Sequence, residues 1–255
     1  MSKYLIYMVV IDHNKSEYNH SVYANYSKKT WEYWCRKNNV DLHVVTEHNP
    51  KYGFPIWNQL DVCDIGKEYE KIGVVDCDTM VKWDTPNIFE SLEDGISGVK
   101  DQSNLKWIHD SIANYGDSFF QEYKMDIDNY INSGVVFLDK ESLSVYKKLR
   151  DFYFKHQDKL DNWNMGGGKT QTLLNYHIQT DCMKMNLIPP IWNLVAIHRK
   201  NMFSHNWQLK KDMTPFYVKY ANIWHFTGFA IEQREEIMKQ TWENYQDKYY
   251  EGKYE

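Results

Sequence analysis

Cysteine is scarce and scattered in this chain. Cys35, Cys63, Cys77 and Cys182 form no CxxC pair, which excludes a zinc ribbon or a disulfide framework and fits a reducing, cytoplasmic setting. No apolar stretch has the length of a membrane span. The run Tyr4 to Ile11 stops at Asp12-His13 without a small-residue cleavage site, so it reads as a first strand rather than a leader or an anchor. Positive charge is not in excess either. Lys and Arg number 30 against 35 Asp and Glu, a net of −5, which removes the electrostatic reason to expect nucleic acid or an anionic membrane as partner. Internal repeats, low-complexity tracts and linkers are missing, and 255 residues suffice for one sizeable core. The expectation is a single domain over 1–255.

Aromatic residues, by contrast, are abundant: 20 Tyr, 11 Phe and 10 Trp. Such rings can stack on sugars or bases, but more often they fill cores. Apolar strands alternate with helical spacing through the first part of the chain. Tyr4–Ile11, Val40–Val45 and Ile72–Asp76 read as strands; Ser21–Asn38, with Tyr23, Tyr26, Trp31 and Trp34 on an inner face, and Trp57–Tyr69 read as helices. That alternation predicts βαβ units and a mainly parallel sheet. Further on, Ile96–Lys100 and Tyr130–Leu138 read as strands, Ser142–Lys155 and Thr170–Gln179 as helices, and Trp107–Tyr123 as a helix or a lid. Leu187–Val195 reads as extended, Ala221–Phe226 as a last strand, and about 232–250 as a C-terminal helix.

The strand Ile72–Asp76 runs into Asp76-Cys77-Asp78. In an extended backbone residues i and i+2 share a side, so the two carboxylates can converge on one divalent cation while Cys77 turns into the fold. Open α/β sheets also place ligands at the carboxyl ends of their strands. Two rival readings fit less well. A strand ending in DxD also begins the haloacid-dehalogenase phosphatase motif, but the downstream GDxxxD fails, since Gly116-Asp117 is followed by Gln121. Gly166-Gly167-Gly168-Lys169-Thr170 imitates a phosphate-binding P-loop, yet the required earlier glycine is Trp163. A bland alternative, aspartates that merely cap the next turn, stays open at this point.

Four motifs together resemble glycosyltransferase family 8, the glycogenin and lipopolysaccharide galactosyltransferase group. They are the DxD segment with Asn87-Ile88-Phe89 after it, Asn132-Ser133-Gly134-Val135-Val136, Gly168-Lys169-Thr170-Gln171-Thr172-Leu173-Leu174-Asn175, and His225-Phe226-Thr227-Gly228. They occur in the family's order and cover about residues 4–230. The resemblance implies a GT-A, Rossmann-like α/β fold: a mainly parallel central sheet flanked by helices, with a small antiparallel extension near a metal site. It implies a retaining transfer of a hexose from a UDP-sugar to a hydroxyl of a glycan, protein or small-molecule acceptor. Asp76, Asp78 and His225 would hold Mn²⁺ or Mg²⁺. Asp76, Asn132, Ser133, Gly134, Thr170 and Gly228 would line the donor site, and Gln171 would be the catalytic group beside the sugar. Two departures stand out: the family's acid before Gln171 is Thr170 here, and the family's lysine after Gly228 is absent, so Arg234, Lys200, Arg199 and Lys169 are the candidates to supply the charge that balances the diphosphate. An inverting enzyme would need a carboxylate base, for which Asp126 and Asp128 stand nearest in sequence. A nucleotide-sugar or glycan-binding module without turnover is the alternative function.

Overall fold

The computed structural model describes residues 2–12, 20–121, 123–166, 168–197, 202–203 and 213–250. Eight strands are β1 Tyr4–Val9, β2 Asp41–Val45, β3 Lys71–Asp76, β4 Thr79–Val81, β5 Ile96–Lys100, β6 Ile131–Asp139, β7 Met185–Leu187 and β8 Ile223–His225. The helices are α1 Ser21–Lys37, α2 Val62–Ile65, α3 Leu105–Phe119, α4 Ser144–Lys155, α5 Gln157–Asp161, α6 Gln171–Thr180, α7 Phe216–Tyr220 and α8 Ile231–Tyr245. Six strands form one sheet in the order β2-β1-β3-β6-β5-β7. Pairings β2–β1, β1–β3 and β5–β7 are parallel, while β6 runs antiparallel to both β3 and β5. The sheet is therefore mainly parallel with one reversed strand. A separate antiparallel pair, β4–β8, sets Thr79 opposite His225.

Both faces of the sheet are covered, which explains why β1 reads as a continuous apolar run rather than an alternating one. One face packs Ile6, Met8, Val75 and Phe137 against Trp31 and Trp34 of α1 and Met238 and Trp242 of α8. The other packs Leu5, Val74, Ile131 and Val136 against α4 and α6 through Leu149, Tyr153, Leu173 and Tyr176. In α1 the residues Tyr23, Ala24, Ser27, Thr30, Trp31, Trp34 and Cys35 are buried, the three-and-four spacing of a helix lying on a core; Tyr26, expected among them, is only partly buried.

Two expectations change and one open alternative resolves. The stretch read as a helix over Trp57–Tyr69 is instead a 3₁₀ turn at Pro55–Asp61, the single turn α2 and a second 3₁₀ turn at Gly66–Glu68. Trp107–Tyr123 resolves as a helix, α3, whose N-cap Asn104 accepts from Trp107 N. Strand β3 ends at Asp76, and Cys77-Asp78 forms a turn before β4. It is thus a turn, not continued extended backbone, that brings the two carboxylates together. Cys77 is buried beside Val75 as expected, although its thiol also reaches the pocket wall near His20.

Candidate active site

The carboxyl end of β3 is held from below by helix α1. Trp31 Nε1 donates to Thr79 Oγ1 at 3.0 Å, and Thr79 Oγ1 donates to the Asp76 carbonyl at 2.7 Å. Phe226 N donates to the Asp78 carbonyl at 2.9 Å, so the turn is tied to β8 as well. Through this frame one ligand atom each of Asp76, Asp78 and His225 lies within 4.8 Å of the others. Asp78 and His225 are buried, 7% and 2% exposed, while Asp76 is partly exposed to the pocket.

Gly134 of β6 makes the room for this arrangement. A Cβ there would sit 2.1 Å from His225 Cε1 and 2.8 Å from Nε2, so the imidazole occupies the space where any other residue would carry its side chain. Gly228, in the turn between β8 and α8, has φ +83°, a left-handed conformation that glycine adopts without strain. The turn brings α8 back over the site. Arg234 on that helix places Nη1 3.3 Å from Asp78 Oδ2 and 3.0 Å from the Tyr23 hydroxyl.

The electrostatics show a deficit of positive charge. Burial and then the neighbouring Asp78 charge push Asp76 up to about 7. Burial also works against ionisation of Asp78, but His225 and Arg234 outweigh it and hold that carboxyl well below its usual range. Burial disfavours a charged His225, and Asp78 more than offsets this, so its pKa is raised. Asp78 Oδ1, 3.1 Å from His225 Nε2, accepts no hydrogen bond. Two buried carboxylates, one of them with an unpartnered oxygen, and an imidazole make a donor set that fits a divalent cation: hard oxygen ligands with one borderline nitrogen. These three residues could hold a metal ion.

Beside the trio, a pocket of about 270 Å³ opens over the ends of β1 and β3. Tyr7, Val9, Phe54 and Ile56 give it apolar walls, and Asp76, Asp78 and Arg234 close its polar end. Lys169 also lines it, with Nζ 3.9 Å from the Phe54 ring centroid. Arg199 and Lys200, named with these two as possible counter-charges, lie outside the described residues.

A second polar cluster lies further along β6. Gln171, the first residue of α6, accepts at Oε1 from Ser133 N and Asn132 Nδ2, each at 3.1 Å. Its Nε2 donates to Asp101 Oδ2 at 2.9 Å and to the Tyr130 hydroxyl at 3.3 Å. Asp101 was not singled out in the sequence. Its Oδ2 also accepts from Asn132 Nδ2 at 3.0 Å, and its Oδ1 accepts from Ser103 N and Oγ. One signal could have found it: like Asp76, which ends β3, it stands at the carboxyl end of an apolar strand, one residue past β5. Thr170 is buried at the N-cap of α6 and makes no capping bond with its side chain. Asn193, also not anticipated, bridges the clusters, as His225 Nδ1 lies 3.0 Å from its Oδ1 and its Nδ2 donates to Asn132 Oδ1 at 2.9 Å. Asp126 and Asp128 stand apart, engaged in a loop. Asp126 caps a 3₁₀ turn, and Asp128 is ion-paired with Lys100.

At the level of sequence, no family model and no curated protein matches the chain. Solved structures do match. A glycosyltransferase involved in glycosylation of the major capsid of PBCV-1 aligns with TM-score 0.55 and 14% identity, over 92% of this chain and 98% of that one. The galactosyltransferase LgtC, solved with donor and acceptor sugar analogs, aligns with TM-score 0.51 and 15% identity, over 94% and 99%. The bifunctional glycosyltransferase WbbM aligns with TM-score 0.50 and 12% identity, over 89% of this chain and 46% of that one. The chain has the GT-A fold. In this GT-A chain the antiparallel pair β4–β8 carries His225 to the carboxyl end of β3, where the motif resemblance to glycosyltransferase family 8 expected it.

Proposed function

We propose that this protein is a metal-dependent glycosyltransferase, one domain over 1–255, that moves a hexose from a UDP-sugar to an acceptor hydroxyl with retention of configuration. The observation that carries the reading is the convergence of Asp76, Asp78 and His225 at the mouth of a pocket on the carboxyl side of the sheet. The apolar end of the pocket suits a flat base and the acidic end a metal-bound diphosphate. Four free thiols support the cytoplasmic setting. Among the described residues no helix is long and apolar enough to cross a membrane.

In this reading Asp76, Asp78 and His225 would together hold Mn²⁺ or Mg²⁺, with Asp76 also placed to meet the donor ribose. When bound, the metal neutralises the negative charge that grows on the departing diphosphate. Arg234 supplies a fixed positive charge at the same place, in the role left open by the missing lysine after Gly228. Asn132, Ser133 and Gly134 shape the donor-sugar side, with Gly228 allowing close approach of backbone near the diphosphate. Gln171 faces the reactive side of the sugar, and Asp101 provides the carboxylate that Thr170 does not. The acceptor oxygen attacks the anomeric carbon as its bond to the diphosphate breaks, and the acceptor proton passes to the departing phosphate oxygen. The products are a glycoside and a nucleoside diphosphate.

The saturated amide of Gln171, with both its oxygen and its nitrogen fully engaged inside the fold, is the one observation that favours a binding module without turnover. One assay separates the two. The protein is incubated with a panel of UDP- and GDP-sugars, with Mn²⁺ or with chelator, and nucleotide release is followed. Metal-dependent release lost in Asp78→Ala supports the transferase, and tight binding without release under any acceptor supports the module. Release of phosphate from simple monoesters would sink both.

A further inference from the structure

The hydrogen bonds between β6 and β8 fix something that heavy-atom positions alone do not show, namely which nitrogen of His225 carries the proton. The series of hydrogen bonds begins at a backbone amide. Gly134 N can only donate, and it lies 2.9 Å from Asn132 Oδ1, so that atom is the oxygen of the Asn132 amide. Its other end agrees, because the opposite atom faces the carboxylate Asp101 Oδ2 at 3.0 Å and must be the donor Nδ2. Asn132 Oδ1 also faces Asn193 at 2.9 Å, and an acceptor requires a donor opposite, so Asn193 presents Nδ2 there. The remaining atom of Asn193, its Oδ1, then faces His225 Nδ1 at 3.0 Å and can only accept. The proton of a neutral His225 is therefore on Nδ1, and the lone pair of Nε2 points at Asp78 Oδ1, 3.1 Å away.

We infer that Asn193 is a positioning residue that sets the tautomer and ring orientation of His225, committing Nδ1 to its amide oxygen and turning Nε2 toward the Asp76–Asp78 pair. Asn193 and Asn132 are 1% and 6% exposed, and His225 is 2% exposed, so no competing water reaches Nδ1 from bulk. A neutral imidazole whose other nitrogen is committed to an acceptor is the form that binds a metal, and removing such an outer partner typically costs about 10–100-fold in metal affinity. The same relay continues through Asn132 to Gln171 and Asp101, so one hydrogen-bonded unit spans the metal ligand and the residues assigned to the sugar side.

The metal part of this inference rests on the function proposed above; the tautomer part does not. The first measurement uses the unaltered, full-length, metal-free protein. ¹⁵N NMR correlations of the neutral His225 ring, recorded at alkaline pH, are expected to show a protonated Nδ1 and a pyridine-like Nε2. A protonated Nε2 would overturn the inference outright, with no variant needed. The second measurement is Mn²⁺ affinity, read by water-proton relaxation, for wild type, Asn193→Leu and Asn193→Ala. Both variants are expected to bind Mn²⁺ about 10–100-fold more weakly, and the ring in each is expected to show mixed tautomers. Unchanged Mn²⁺ affinity alongside a mixed tautomer would overturn the positioning role. Wild-type protein with the expected tautomer and no affinity for Mn²⁺ would instead sink the metal-dependent reading and leave the tautomer assignment standing.

Discussion

At position 134 a single methyl group would have to share space with the imidazole of His225, because the built Cβ falls 2.1 Å from Cε1. Gly134→Ala must therefore push β6 or β8 aside. Overpacking of this kind costs typically 1–3 kcal/mol, and here it also moves the imidazole away from Asp78. Both a lower unfolding temperature and at least a tenfold weaker Mn²⁺ affinity are expected. A variant that loses stability but binds Mn²⁺ normally would show that His225 is not the ligand. A second residue-scale prediction concerns acid. Burial first, with Lys148 adding to it, drives His177 down to about 4 despite the opposing charge of Asp181, and its Nε2 has no partner. The folded protein thus keeps His177 neutral where the unfolded chain, near the ordinary value of about 6.5, would protonate it. Its contribution to stability is complete above pH 6.5 and is lost as pH falls toward 4. The slope is at most about 1.4 kcal/mol per pH unit, or roughly 2 kcal/mol between pH 6.5 and 5. Urea titrations should show that His177→Phe loses markedly less stability over this interval than wild type, and parallel losses would refute the assignment.

Helix α1 shows how an element that touches no ligand can still set the site. Trp31 is fully buried, and its indole N–H reaches Thr79, whose hydroxyl in turn holds the carbonyl of Asp76. Trp31→Phe keeps an aromatic ring but removes the donor and part of the volume. About 2 kcal/mol of stability should go, together with a measurable drop in Mn²⁺ affinity as the turn at Cys77-Asp78 loosens. Isothermal titration at a temperature where the variant is fully folded checks this, and unaltered affinity would mean that α1 is a pure core element. The same helix was legible in sequence because its buried residues recur at three and four. Strands β1 and β3 were legible for a related reason, as both faces are covered and no polar residue interrupts their middles, and β6 was legible from its apolar stretch Val135–Leu138. The stretch 55–68 was not. There Asn58 turns its side chain inward, donating to the Pro55 carbonyl and accepting from Asn49 N, so a side chain takes the carbonyl that helical backbone would use and the segment breaks into short turns. Asp76, Asp78 and His225 could be named from their motifs, whereas Asp101 had only its place at a strand end to mark it and Asn193 had nothing. Their meaning arises from partners on other elements, and nothing in the stretch before Asn193, expected to be extended but folded as a 3₁₀ turn over Pro190–Trp192, marks it.

Across the whole molecule the site joins a turn early in the sheet to a strand and helix near the other end of the chain, so a metal there binds the folded state and not the unfolded one. Mass action then sets the stabilisation: about 2.7 kcal/mol at a free concentration 100 times Kd, roughly 5–10 °C for a chain of this size. The site also carries a cost in the metal-free protein. Asp76 is held up to about 7 by burial and by Asp78, far above an unfolded aspartate near 3.9. A group whose folded pKa is raised binds its proton more tightly when folded, so stability is lost as pH climbs from about 4 to about 7, and above that the ionised pair repels. Asp76→Asn removes the repulsion and the ligand at once. At pH 8 the metal-free variant should melt higher than metal-free wild type, and Mn²⁺, which lifts wild type, should leave the variant unmoved. Scanning calorimetry of both proteins with Mn²⁺ and with chelator reads the two effects separately. A metal-free variant that melts lower than wild type would mean that the carboxylate is needed by the fold itself. An undiminished Mn²⁺ shift would place the ion elsewhere. The opposite signs follow from one cause, because a fold that gathers two carboxylates in a buried turn gives up stability for a site only a cation completes.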